Sequence, residues 1–90
     1  MARPDFTGQV ILVTGAAGGL GAALCRCLAT ERAQIAAMDR DAEKLDALMS
    51  SLPTGSLAIV GDLTDPAACQ AAIERTLARF GALHGLVNNA

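Results

Sequence analysis

Ninety residues suffice for one domain at most, and a domain of this size buries a smaller share of its surface than one of ~150 residues, so its margin of stability is narrow. Hydrophobic residues make up 52% of the chain and charged residues 18%, a balance that excludes an intrinsically disordered polymer. A net charge of -2 opposes a phosphate-backbone partner, and the absence of tyrosine and tryptophan removes the platforms on which single-stranded nucleic acid stacks.

The apolar, β-branched run from Gln9 to Thr14 ends in glycines and predicts a strand buried on both faces. Leu20, Leu24, Cys27 and Leu28 then follow helical spacing and predict a first helix running to about Ala33. Gln34 to Asp39 reads as a second strand. Asp41 to Leu52 carries Leu45, Leu48, Met49 and Leu52 at helical spacing, with Pro53-Thr54-Gly55 as the stop. Ser56 to Gly61 predicts a third strand. Asp65-Pro66 has the form of an N-cap followed by proline at the first helical position. The third helix starts there, places Cys69, Ile73, Leu77 and Phe80 on one side, and ends at Gly81. Leu83 to Asn88 is the fourth predicted strand.

This β-α-β-α-β-α-β order with short connections predicts, by the right-handed crossover rule, one α/β domain over residues 1–90 with a parallel sheet between helices. The doubly wound order is 3-2-1-4, which opens a ligand crevice at the carboxyl ends of strands one and four, where Gly15 and Asn88 fall. The longest apolar stretches, such as Val10 to Val13 and Ile35 to Met38, are far short of the ~20 residues of a membrane span. Met1 to Asp5 leads into no apolar signal region, so a cytoplasmic location is expected. Cys25, Cys27 and Cys69 are odd in number and lie in helical patterns, which fits buried thiols in a reducing compartment. Cys25 and Cys27, two apart on a helix, point to nearly opposite sides, so no metal site is expected from them.

The chemistry concentrates in two places. Thr14-Gly15-Ala16-Ala17-Gly18-Gly19-Leu20-Gly21 joins a strand to a helix, where unpaired N–H groups and the positive end of the helix dipole favour an anion such as a pyrophosphate. A glycine turn that only permits close helix-to-sheet packing would look the same. Asp39 closes the second strand about twenty residues later, where a carboxylate can accept hydrogen bonds from ribose hydroxyls. A polar strand end or a helix cap is the plain alternative for Asp39.

Thr14, Gly15, Gly19 and Gly21 match Thr-Gly-x-x-x-Gly-x-Gly, Asp62 to Asp65 read Asp-Leu-Thr-Asp, and the chain closes on Asn88-Asn89-Ala90. Together these motifs resemble the cofactor-binding half of the short-chain dehydrogenase/reductase family, over nearly the whole chain from Phe6 onward. Gly15, Gly18 and Gly21 also satisfy the glycine spacing of the family's extended branch, but Val87 to Ala90 resemble the ordinary one. The resemblance implies that Gly15, Gly19, Leu20 and Gly21 line the pyrophosphate, with Gly18 also among the cofactor-binding residues, and that Asp39 holds the adenosine ribose. It further implies that Asp62 and Leu63 border the adenine, and Asn89 and Ala90 the ribose on the nicotinamide side. Asn88 either braces the sheet or touches the ligand, and His84 reads as a surface or strand-start residue. Asp39 favours NAD over NADP by repelling a 2′-phosphate, whereas the adjacent Arg40 could reach that phosphate.

The resemblance also implies a serine, a tyrosine and a lysine four residues after it as the catalytic trio. No tyrosine is present, Lys44 is the only lysine, and Ser50, Ser51 and Ser56 fall near the opposite end of the sheet. Proton transfer needs a donor within hydrogen-bond reach of the reacting oxygen. The chain therefore reads as the NAD(H)-binding portion of an oxidoreductase acting on an alcohol or carbonyl, meeting its small-molecule substrate only in a full-length form. A bare edge on strand four invites self-association, and a stand-alone nucleotide-binding or assembly module is the alternative reading.

Overall fold

The computed structural model describes residues 5–89. Its elements are β1 (Val10–Thr14), α1 (Gly19–Thr30), β2 (Gln34–Asp39), α2 (Ala42–Met49), β3 (Leu57–Val60), α3 (Pro66–Phe80) and β4 (Gly85–Asn88). The four strands form one parallel sheet in the order β3-β2-β1-β4, the doubly wound order expected from the sequence. Thr14 stands opposite both Met38 and Asn88, and Asp39 opposite Val60, so the carboxyl ends of all four strands meet at one edge of the fold.

Every residue of β1 is buried, because the strand is covered on both sides. Its alternation divides the core. Ile11 and Val13 face Ala22 and Cys25 of α1 and Leu45 and Leu48 of α2, together with Ile35 and Ala37 of β2. Leu12 turns the other way, toward Ala36, Met38, Ile59 and Ala72 of α3. Burying each leucine or isoleucine fully contributes about 1.5–3 kcal/mol, so the central pair β1 and β2 dominates the stability of this small sheet.

Two helices end earlier than their periodicity predicts. α1 stops at Thr30 because Arg32 turns left-handed at φ 72°, letting Ala33 N–H bond the Leu28 carbonyl and Arg32 N–H the Ala29 carbonyl, each at 3.0 Å. No glycine marks this cap, which is why the sequence pattern runs past it. Arg32 is anchored by its own side chain, which donates to Thr7 Oγ1 at 3.0 Å and to Asp5 at 3.1 Å. α2 begins after Asp41, whose Oδ1 accepts from Lys44 N–H at 3.1 Å, and ends at Met49. Beyond it the Ser51 hydroxyl takes the Leu48 carbonyl at 2.8 Å, a side-chain bond that competes with continuation of the helix.

The buried stripes also differ from those expected. On α1 the inward residues are Gly21, Ala22 and Cys25, whereas Leu20 is 73% exposed and Cys27 lies on the surface. On α3, Ala72 and Thr76 are buried while Ile73 and Leu77 are exposed. Small residues win the contact face because they bring the helix axes close to the sheet. Thr76 tolerates full burial by donating its hydroxyl to the Ala72 carbonyl at 2.8 Å. Among the described residues, no helix is long and apolar enough to cross a membrane.

The two sheet edges are unlike. Beside β3, Arg79 donates to the Gly55 carbonyl at 3.0 Å and Arg75 to the Ala58 carbonyl at 3.4 Å, placing cations along that edge. Leu86 of β4, by contrast, is 56% exposed. β4 starts at Gly85, two residues later than expected, because His84 is used to brace β1. Its Nδ1 accepts from Val10 N–H at 2.9 Å while its own N–H donates to the Val10 carbonyl at 2.9 Å.

Candidate dinucleotide site

The glycine-rich segment leaves β1 at Thr14 and turns at once, with Gly15 at φ 63°. Ala16 N–H then bonds the Met38 carbonyl at 3.0 Å, so the end of β2 holds the turn. Gly18 caps α1 without a side-chain acceptor, and the first intrahelical bond runs from Ala22 N–H to the Gly18 carbonyl at 2.8 Å. The amides of Gly19, Leu20 and Gly21 consequently have no partner within the helix. The first turn of α1 carries no acidic residue, so its positive end is uncompensated from within.

Gly21 is required by contact. A Cβ there would overlap the Gly15 carbonyl oxygen and come within 2.9 Å of Asn89 Nδ2. Asn89 N–H also bonds the Thr14 carbonyl at 3.3 Å, which sets the Asn89 side chain beside the first turn of α1. Asn88 takes the bracing role: its Oδ1 accepts from the Thr14 hydroxyl at 3.1 Å and ties the ends of β4 and β1 together.

A crevice of about 340 Å³ opens between the ends of β2 and β3, lined by Gly15, Met38, Asp39, Arg40 and Gly61 to Thr64. The structure thus brings Gly15, Asp39, Arg40, Asp62 and Leu63 to one cavity. Gly18, Gly19, Leu20, Gly21 and Asn89 do not line it, lying instead around the neighbouring helix start. Ala90 falls outside the described residues. Three lining residues were not anticipated from the sequence. Met38 precedes Asp39, Gly61 follows the last residue of β3, and Thr64 lies inside the Asp-Leu-Thr-Asp segment, so proximity to named positions was the available signal.

Asp62 Oδ1 accepts from both Thr64 N–H at 2.9 Å and the Thr64 hydroxyl at 2.8 Å. Those two bonds, the backbone one first, hold its carboxyl below the usual carboxylate range, and the Arg40 charge acts in the same direction. Asp62 therefore keeps its charge into acid.

The family model described as short chain dehydrogenase matches residues 9–90. The chain belongs to the short-chain dehydrogenase family. It is 45% identical over 86 residues to the D-threitol dehydrogenase of Mycolicibacterium smegmatis, covering 92% of this chain and 33% of that protein. To the L-fucose dehydrogenase of Mus musculus it is 39% identical over 85 residues, covering 94% and 31%. Among solved structures, the apo glucose dehydrogenase of Caenorhabditis elegans superposes with a TM-score of 0.92 at 30% identity, covering 97% of this chain and 39% of the other. The NAD+-bound xylitol dehydrogenase gives 0.90 at 33%, covering 97% and 35%. This short-chain dehydrogenase chain spans about a third of the length of the curated relatives named, and its parallel β3-β2-β1-β4 sheet is the Rossmann-type, NAD(P)-binding arrangement of the family.

Proposed function

We propose that residues 1–90 form a partial Rossmann domain that binds NAD(H), as the cofactor-binding portion of an oxidoreductase acting on an alcohol or carbonyl. The carrying observation is that Gly15 and Asp39 line one crevice beside the start of α1, whose cap residue Gly18 offers no side-chain acceptor. The donor set fits a dinucleotide. The amides of Gly19, Leu20 and Gly21, on a turn that includes Gly18, suit a pyrophosphate. Asp39 suits ribose hydroxyls, Asp62 and Leu63 the adenine, and Asn89 with Ala90 the second ribose. When bound, the nicotinamide supplies hydride transfer. The residues here bind and orient it; among the described residues none is positioned as a proton donor to a substrate, and the chain by itself is expected to turn over no alcohol or ketone.

Calorimetric titration of the chain with NADH and NADPH tests this. Saturable but weak NADH binding, with NADPH weaker, is the expected result, since ordering the glycine loop costs entropy that these contacts offset only in part. Heats no different from buffer for both cofactors would remove the reading. The exposed Leu86 favours a second one, a nucleotide-binding or assembly module that recruits a partner chain along β4. A coding sequence for Tyr-x-x-x-Lys downstream of Ala90 decides for the oxidoreductase.

A further inference from the structure

Asp39 makes three bonds to three different segments around the crevice. Its Oδ2 accepts from Ala17 N–H in the glycine loop at 3.0 Å, and its Oδ1 from Asp41 N–H at the N-cap of α2 at 2.9 Å. Its backbone carbonyl accepts from Gly61 N–H, at the end of β3, at 3.1 Å. Both carboxylate oxygens are thus engaged by backbone amides with no ligand needed. Ala16 N–H, the preceding loop amide, is held by Met38, so two consecutive loop amides are pinned by two consecutive residues of β2.

We propose that Asp39 is a positioning residue as well as a ribose ligand: its carboxylate is a latch that fastens the glycine loop to the β2–α2 turn and presets the loop for the pyrophosphate. A carboxylate has about four lone-pair directions, so the two amides leave capacity for ribose hydroxyls. Without the latch, Ala17 N–H loses a charge-assisted acceptor. The loop is then freed on one side, and the ordering cost is met at the moment of binding. The consequence for cofactor affinity rests on the dinucleotide reading above, but the latch itself does not.

The test compares two neutral variants of the chain, Asp39→Asn and Asp39→Ala, so that charge is matched while one keeps an acceptor oxygen and the other has none. Amide hydrogen exchange is followed by NMR in the absence of ligand, and loop amides are then titrated with inorganic pyrophosphate, which has no ribose. The latch requires Ala17 and Asp41 amides to exchange at least tenfold faster in Asp39→Ala. Asn offers a single acceptor oxygen, so one of the two amides stays protected in Asp39→Asn, and pyrophosphate binds that variant more tightly than the alanine one. Wild-type exchange at both amides in Asp39→Ala overturns the latch, as does identical behaviour of the two variants. Should Asp39→Ala fail to fold, the split between Ala17 and Asp41 in Asp39→Asn decides alone. A latch seen in exchange without NADH binding to the wild type would refute the dinucleotide reading and leave the latch standing.

Discussion

The backbone of Gly21, on the first turn of α1, packs so closely on the carbonyl oxygen of Gly15 that no Cβ fits between them. The obstacle is backbone and cannot rotate away. Gly21→Ala is therefore expected to cost about 1–3 kcal/mol or more of stability through overpacking, and to push α1 off the loop. Urea unfolding checks it, with an unchanged midpoint as the contrary result.

Cofactor choice depends on Asp39. Two unit charges ~4 Å apart at an effective dielectric of ~20 repel by about 4 kcal/mol, a figure that solvent and salt reduce, so a 2′-phosphate beside this carboxylate is disfavoured. Arg40 lines the same crevice but is exposed and can swing into solvent. Asp39→Ser is expected to narrow the NAD preference at least tenfold, or ~1.4 kcal/mol. With the latch also lost, the change comes more from weaker NADH than from tighter NADPH. Titrating both cofactors against both proteins reads this out, and equal or tighter NADPH binding by the wild type would transfer the decision to Arg40.

Acid should loosen the chain near its start. Bonds from the Thr7 hydroxyl and amide and from Arg32 lower the Asp5 pKa from 3.8 to about 2. A depressed carboxylate pKa adds stability that is fully present above the unfolded value and is lost as pH falls from about 4 through 2. Melting temperature measured across that window should fall less steeply for Asp5→Asn than for the wild type. Parallel curves would show that the Asp5 contacts with Thr7 and Arg32 do not persist in solution.

The cysteines should separate by burial. Burial pushes the Cys25 thiol up to about 11, and the residue is fully enclosed on the inward face of α1, whereas Cys27 is exposed two positions on. Iodoacetamide at pH 8 should alkylate Cys27 in the native chain and reach Cys25 only on unfolding, because the thiolate is the nucleophile. Mass spectrometry of the digested protein locates the adducts, and rapid native labelling at Cys25 would contradict the packing described.

Strand order, the parallel pairing and the Asp65 cap of α3 could be read from the sequence, because they follow from apolar periodicity and short-range turn chemistry. The glycine loop and Asp39 were legible for the same reason: their spacing places them on a strand end and a helix start. The pattern could not show that Arg32 ends α1, since the left-handed position carries no glycine and is held by Asp5 and Thr7, which lie far back along the chain. Nor could it show that Ile73 and Leu77 face outward, because helical spacing marks an apolar stripe without saying which neighbour covers it. His84 on Val10 and Asp39 on Ala17 join residues 74 and 22 positions apart. Such partners become determinate only when the parallel sheet sets one strand end beside another, so tertiary structure alone decided that the carboxylate of Asp39 meets the glycine loop.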